Sequence, residues 1–348
     1  MDMPTSTPAG HPHTSRHPAS AGRFAVLLDP PYVADMLFGR DFAALTSAGG
    51  KSAHPVPLRN LDGADAISVL SQIDVLVTGW GAPRLTDAQL DAAPHLTHIL
   101  HAGGQAAHFL PESIARRGIA LSNAGWVNAI PVAEFTFAMI VLANKNAFRL
   151  NHLYRSEQRF IEREREFPQA GNRGKTIGIV GASRIGRIVL ERLGDIEVSA
   201  LLCDPYISPL EAERLGARLV SLDDLMAHSD IVSVHAPLNA ETQGMITARH
   251  LALMQTGSTL VNTARGAIVD QAALVTELQS GRIDAILDVT EPDVLPPGHV
   301  LYSLPNVFLT PHISGSMGPE IARMGAHIAS ELGRVVRGLP LALPEVIR

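Results

Sequence analysis

Three short polar segments stand out because each follows an apolar, β-branched run. They are Asn262-Thr263-Ala264-Arg265-Gly266, Asp288-Val289-Thr290-Glu291-Pro292-Asp293 and Thr310-Pro311-His312-Ile313-Ser314-Gly315-Ser316. Together they offer an arginine, carboxylates and a histidine. Arg265 presents a planar, two-pronged donor that matches a carboxylate. Histidine exchanges its proton near neutrality, and a neighbouring carboxylate would fix the tautomer of His312. Such a set suits hydride transfer, in which a hydroxyl proton must leave as the hydride departs. Alone, the same residues would serve as well as braces between loops.

A second motif points the same way. The turn Gly181-Ala182-Ser183-Arg184-Ile185-Gly186 follows the run Thr176–Val180 and opens a helical pattern, the setting of a dinucleotide fingerprint. Asp204 ends the next apolar run, eighteen residues beyond Gly186. Its carboxylate can accept a ribose diol and would repel a 2′-phosphate, which favours NAD over NADP. Ser183 stands where the pattern wants a second glycine, but serine is small and its hydroxyl can itself bond phosphate. A methyltransferase with a similar turn is open on the turn alone; the reactive groups above do not suit it.

These residues need elements to position them. Phe24–Asp29, Asp74–Trp80, Leu96–His101 and Ile119–Asn123 read as strands, with helical patterns over Ala34–Ala48 and Thr86–Ala93. Thr86 is a candidate N-cap. A long helical pattern runs from Pro131 to Phe160, with proline in its first turn. The charged run Glu162-Arg163-Glu164-Arg165-Glu166 and a Gly171/Gly174 loop follow, and a domain junction is expected there. The second series of strands comprises Thr176–Val180, Val198–Asp204, Arg218–Val220, Ile231–His235, Thr259–Asn262, Ala285–Val289 and Val307–Thr310. Helices beginning near Arg184, Pro209, Leu222, Thr247, Gln271 and Pro319 separate most of them. Apolar strands alternating with helices indicate parallel sheets covered on both faces. The fold class is therefore α/β, in two domains.

Composition sets the outer limits. The chain has 348 residues, 46% hydrophobic and 18% charged, enough for two cores. With 34 acidic and 28 basic residues and a net charge of −6, it lacks the basic balance of a nucleic-acid binder. The apolar stretch Phe135 to Ala143 is shorter than the ~20 residues a bilayer span needs, so no membrane partner is expected. The lone Cys203 excludes a disulfide framework and fits a reducing compartment, the cytoplasm. Residues 1–22, rich in Pro, Ser, Thr and Gly, read as a disordered tail.

Other residues have plainer readings. On a strand, His95, His98 and His101 alternate faces, so a partly exposed edge is favoured over a metal site. No metal is expected; His11, His13 and His17 in the tail could bind one only adventitiously. His235 is open between a cofactor contact and a core histidine. Trp80 and Trp126 are open between a substrate crevice and the core, and Cys203 is expected to be structural.

The ordered motifs together resemble the D-isomer-specific 2-hydroxyacid dehydrogenases, the phosphoglycerate and glycerate dehydrogenase group. They are Val132-Ala133-Glu134-Phe135, Ile177-Gly178-Ile179-Val180-Gly181 with Arg184-Ile185-Gly186, Asp204-Pro205, and His235-Ala236-Pro237-Leu238. The Arg265 segment with Val269-Asp270, Leu287-Asp288-Val289 and Thr310-Pro311-His312 complete the set. The likeness runs from about Phe24 to the C-terminus.

The resemblance implies two Rossmann-like or flavodoxin-like domains with parallel sheets, the second inserted into the first. Residues 23–150 with 318–348 would form the substrate domain, and 151–317 the NAD-binding domain. It implies NAD as cofactor and a small 2-keto or 2-hydroxy acid as substrate. Arg265 would hold the substrate carboxylate and His312 would be the general acid/base. The supporting acid, usually glutamate, falls five residues after Asp288 on Asp293, with Glu291 as the alternative. Cofactor contacts are expected from Gly181, Ser183, Arg184, Ile185, Gly186, Asp204, Pro237, Thr263, Ala264, Arg265, Asp288, His312 and Gly315, with Asp288 on the nicotinamide side. Substrate contacts are expected from Gly103, Gly104, Asn128 and Arg265. A homodimer through Pro131–Phe160 is implied as well. The rival implied by other relatives is an NAD(H)-binding sensor, co-repressor-like, without significant turnover. Formate oxidation fits less well, since those relatives carry glutamine where Asp293 stands.

Overall fold

The computed structural model describes residues 22–104, 106 and 109–345. The expected tail thus lies outside the described residues except for Gly22, as do His11, His13 and His17. The described chain divides into two compact units, one built from residues up to Val127 and from Gly318 onward, the other from Asn128–Met317.

The first unit holds β1 (Arg23–Leu27), β2 (Lys51–Ser52), β3 (Val75–Thr78), β4 (His98–His101) and β5 (Ala120–Asn123). All pair in parallel, in the order β2-β1-β3-β4-β5. Successive strand residues face opposite sides, and here both sides are covered. Phe24, Val26, Val75 and Val77 pack with Met324, Ile328 and Leu332 of the Pro319–Val336 helix. Ala25, Leu27, Leu76 and Ile99 pack with Leu70 and Leu90 on the other side. Thr86 caps the Asp87–Asp91 helix in a reciprocal box with Gln89, as the sequence predicts. The open edge at β5 is closed by the chain's last described residues: Pro344 bridges Ser122 and the Glu345 N–H reaches Leu121 O at 2.7 Å. Buried Glu331 anchors that segment by accepting the Ala342 and Leu343 N–H groups at 3.0 and 3.1 Å.

The second unit holds β6 (Lys175–Val180), β7 (Val198–Cys203), β8 (Ala217–Leu219), β9 (Ile231–Val234), β10 (Thr259–Asn262), β11 (Asp284–Leu287) and β12 (Val307–Leu309). They form a parallel sheet ordered β12-β11-β10-β9-β6-β7-β8. From β6 the chain winds to one side through β7 and β8, then returns to the other through β9. The strand order reverses between β6 and β9, and open α/β sheets bind ligands beyond the carboxyl ends at such a point.

Several expectations need correction. The long helix is two: Gly125–Asn144 and Ala147–Glu157, parted at Asn146, whose φ is +51°. Gly171 donates to Asn144 O at 2.7 Å, and the Asn144 side chain bonds Asn172 at 3.0 Å, so a later segment takes over the helix end. The helix also begins at Gly125, not Pro131, because Asn123 Oδ1 accepts the Gly125 N–H at 2.9 Å and starts the turn earlier. The first unit boundary accordingly falls at 127/128 rather than 150/151. Ala133, Met139 and Ile140 of this helix belong to the core beneath β6 and β7. By length and composition the Gly125–Asn144 helix could cross a membrane (mean hydropathy 1.7 over its best window), which the run Phe135–Ala143 understates. Its buried face instead fills that core. His98 and His101 are buried on β4, an interior strand between β3 and β5, not on an edge. Their Nδ1 atoms pair with Thr97 and Thr78 hydroxyls at 2.8 and 2.9 Å. Strand β2 and the Ala64–Leu70 helix were not foreseen.

Candidate active site

The glycine turn leaves β6 at the carboxyl edge of the second sheet. Gly181 has φ +97°, and a Cβ there would lie 2.7 Å from Ala236 N. Only glycine fits both the angle and the gap. Ser183, extended at φ −64°, caps the Arg184–Leu193 helix by accepting the Gly186 N–H at 3.3 Å. Its place in the turn thus needs no glycine conformation, and its hydroxyl oxygen caps the helix while its O–H can still donate to a phosphate. The backbone N–H groups of this first turn point out of the helix start and form a site suited to pyrophosphate. Asp204, just past β7, accepts Ala182 N–H and Tyr206 N–H at 2.8 Å each. The acid therefore sits on the turn, where a ribose would follow the phosphates. The cradle fits a dinucleotide.

His235 lies behind the turn. Its Nε2 pairs with Ser233 at 2.8 Å while Nδ1 is buried without a partner. Burial pushes the ring's pKa down to about 3. It is a core histidine packed against the turn, so the core reading of this residue holds. Pro237 follows it on the surface, its carbonyl accepting the Thr242 hydroxyl at 2.5 Å.

Three further loops leave β10, β11 and β12, which are neighbours in the sheet. In the first, Asn262 folds its side chain onto the loop, accepting Ala264 N–H at 3.0 Å and donating to Arg265 O at 2.9 Å. Thr263 is buried and hydrogen-bonded at 2.8 Å to Thr136 of the Gly125–Asn144 helix. Ala264 is buried, and its carbonyl accepts from Arg265 Nη1 at 2.6 Å, leaving the other donors of the partly buried Arg265 for a ligand. In the second loop Gln271 grips Glu291 at both backbone groups, at 2.6 and 2.8 Å. The carboxylates of Glu291 and Asp293 are both exposed. Buried Asp288 faces the third loop, which carries His312 at φ +56°. There Asn128 Oδ1 accepts Ser316 N–H at 2.8 Å, beside Gly315.

The structure thus brings Arg265, Asp293, Glu291 and His312 to adjacent loops at one sheet edge. Among the described residues the side chains of His312, Asp293 and Glu291 make no hydrogen bond to one another. Thr136 and Gln271 were missed as supports; neither carries a local signal, since each acts on a loop far along the chain. In the first unit, Gly103 and Gly104 follow β4, and the His101 imidazole lies so close to Gly103 that a side chain there would collide with it. Trp80 and Trp126 are both partly exposed on the same unit. Cys203 is half-buried, its thiol pKa raised by burial and then by Asp204. Among the described residues no cluster of three His, Cys, Asp or Glu could hold a metal.

Comparison with known proteins agrees with this geometry. Residues 137–314 match the family model described as D-isomer specific 2-hydroxyacid dehydrogenase, NAD binding domain. The D-3-phosphoglycerate dehydrogenase of Archaeoglobus fulgidus is 34% identical over 286 residues, 82% of this chain and 52% of that one. The chain thus spans about half the length of the phosphoglycerate dehydrogenases it matches. The glyoxylate reductase of Thermofilum pendens is 35% identical over 293 residues, 82% of this chain and 83% of that one. Among solved structures, the TT0316 protein from Thermus thermophilus superposes with a TM-score of 0.73 at 28% identity, covering 93% of this chain and 100% of that one. A glycine turn at the strand-order reversal, an acid seated on it and an Arg–acid–His set on neighbouring strand ends are thus accompanied by likeness along most of the sequence. The chain is a member of the D-isomer specific 2-hydroxyacid dehydrogenase family and carries its NAD binding domain.

Proposed function

We propose that this protein is an NAD-dependent oxidoreductase that interconverts a D-2-hydroxy acid and its 2-keto acid. The observation that carries the proposal is the convergence of Arg265, His312 and the Asp293/Glu291 acids on the edge that also bears the glycine turn. Gly181, Ser183, Arg184, Ile185, Gly186 and Asp204 would hold the dinucleotide, with Pro237, Thr263, Ala264, Asp288 and Gly315 along its course. When bound, NAD supplies the site that gives or takes the hydride.

Arg265 binds the substrate carboxylate through paired N–H donors and so fixes which carbon faces the nicotinamide side. His312 holds a proton on its imidazole and delivers it to the carbonyl oxygen as the keto acid is reduced, then takes it back in the reverse direction. Asp293, or Glu291 beside it, supports the protonated ring. Asn128 and the backbone N–H groups of Gly103 and Gly104 are proposed as further substrate contacts. Of the arginines at this edge, Arg184 sits in the glycine turn with the dinucleotide, which leaves Arg265 for the substrate and favours a substrate without a phosphate. The likeness to a glyoxylate reductase, over 82% of this chain and 83% of that one, points the same way.

A homodimer is proposed as well. The Ala147–Glu157 helix has no buried residue, and Tyr154 and the nearby Phe160 are 63% and 77% exposed. Sedimentation at micromolar concentration tests it. The lone cysteine suits a cytoplasmic setting.

The deciding assay follows NADH oxidation against glyoxylate, hydroxypyruvate, pyruvate and phenylpyruvate, with NADPH run alongside. Turnover with NADH supports the proposal and ranks the pocket. NADH binding without turnover on an extended keto acid panel would overturn it in favour of the sensor reading.

A further inference from the structure

We propose that Asp288 is the positioning residue for His312, holding the histidine-bearing loop in its strained form. Asp288 directly follows β11 and is 1% exposed. Its Oδ1 accepts the Thr310 hydroxyl at 2.6 Å and the Ile313 N–H at 2.8 Å. Oδ2 accepts the Ser314 N–H at 2.9 Å, and its backbone carbonyl accepts the His312 N–H at 2.9 Å. Four groups from five consecutive residues therefore end on one amino acid. His312 itself is exposed, with no side-chain partner among the described residues and φ at +56°.

A left-handed backbone at a non-glycine residue persists only where its surroundings over-determine it. Here the determining contacts come from Asp288 on both sides of the histidine. A carboxylate offers about four acceptor sites, and three are already taken by this loop. Its first duty is thus to fix the backbone from which the His312 ring projects; the His312 N–H has a second acceptor in Thr310 O at 3.1 Å, itself part of the loop that Asp288 holds. A contact to the nicotinamide side can use at most the remaining site.

The inference rests on the dehydrogenase reading of His312, and the test separates the two. Asp288→Asn keeps the shape but presents an NH2 toward a donor, so at saturating NADH kcat should fall ~10–100-fold. The keto acid KM and the NADH Kd should each stay within about threefold, since Arg265 and the glycine turn are untouched. Thr310→Val removes one of the bonds and should lower kcat about two- to tenfold in the same pattern. A cofactor contact alone would give the opposite split, with NADH binding weakened and kcat retained in Asp288→Asn and no effect of Thr310→Val; that result overturns the inference. If the wild type turns over no keto acid, the dehydrogenase reading fails by itself. Amide hydrogen exchange at Ile313 and Ser314 then decides the positioning role: faster exchange in both variants sustains it, and unchanged protection overturns it.

Discussion

Asp204 Oδ2 accepts the Ala182 N–H at 2.8 Å, tying the acid that follows β7 to the turn that follows β6. Its other oxygen is held by the Tyr206 N–H at 2.8 Å. Each oxygen keeps a lone pair for a ribose hydroxyl, but the carboxylate cannot swing away from a 2′-phosphate. Asp204→Ala should therefore narrow the preference for NADH over NADPH by roughly 10–100-fold in kcat/KM. Equal use of the two cofactors by the wild type would remove Asp204 from this role.

Removing the imidazole should abolish the proton path and little else. For His312→Ala the expected loss in keto acid reduction is ~100- to 10,000-fold, with NADH affinity within about threefold. Steady-state rates and NADH fluorescence titration measure the two separately. Wild-type turnover in this variant would sink the assignment of His312.

Lysine keeps the charge of Arg265 but offers a single point in place of a planar fork. Arg265→Lys should raise the keto acid KM and lower kcat/KM by an amount equivalent to ~1.5–3 kcal/mol. A substrate analogue lacking the carboxylate should lose the difference between the two proteins. If wild type and variant discriminate against that analogue equally, another group binds the carboxylate.

The turn itself is a steric proposition. Gly181→Ala places a Cβ 2.7 Å from Ala236 N in a left-handed conformation. Expected outcomes are a stability loss of ~1–3 kcal/mol in urea unfolding and loss of NADH binding. A variant that binds NADH normally would show that the turn can yield without harm to the cradle.

The parts legible in the sequence are those whose reasons are local. Val and Ile runs mark β6 and β9, and Gly181 marks its turn because no other residue fits there. Strand β2 is two exposed residues, Lys51 and Ser52, and carries no apolar signal at all. The break at Asn146 depends on Gly171 and Asn172 meeting Asn144, a contact between segments that periodicity cannot register. Arg265, Asp293 and His312 could be named from motif order, yet the groups that hold their loops could not. Thr136 reaches Thr263 across 127 residues, and Gln271 reaches Glu291 across 20. Supports of that kind are visible only once the chain has folded.

The buried His235 makes a prediction about acid stability whose sign can be worked out. Burial pushes its pKa down to about 3 from the ordinary 6.5. Above pH 6.5 both folded and unfolded chains carry it neutral, and it contributes nothing to the pH dependence. As pH falls below 6.5 the unfolded chain takes up a proton that the folded chain refuses, so stability is lost. The loss continues down to about pH 3, with a slope approaching about 1.36 kcal/mol per pH unit from this residue. His235→Gln can keep the bond to the Ser233 hydroxyl without the titration. Urea unfolding from pH 7 to pH 4 should then show a shallower decline in the variant than in the wild type. Parallel declines would mean that the ring takes its proton in the folded protein, and that the Nδ1 atom behind the glycine turn has a partner.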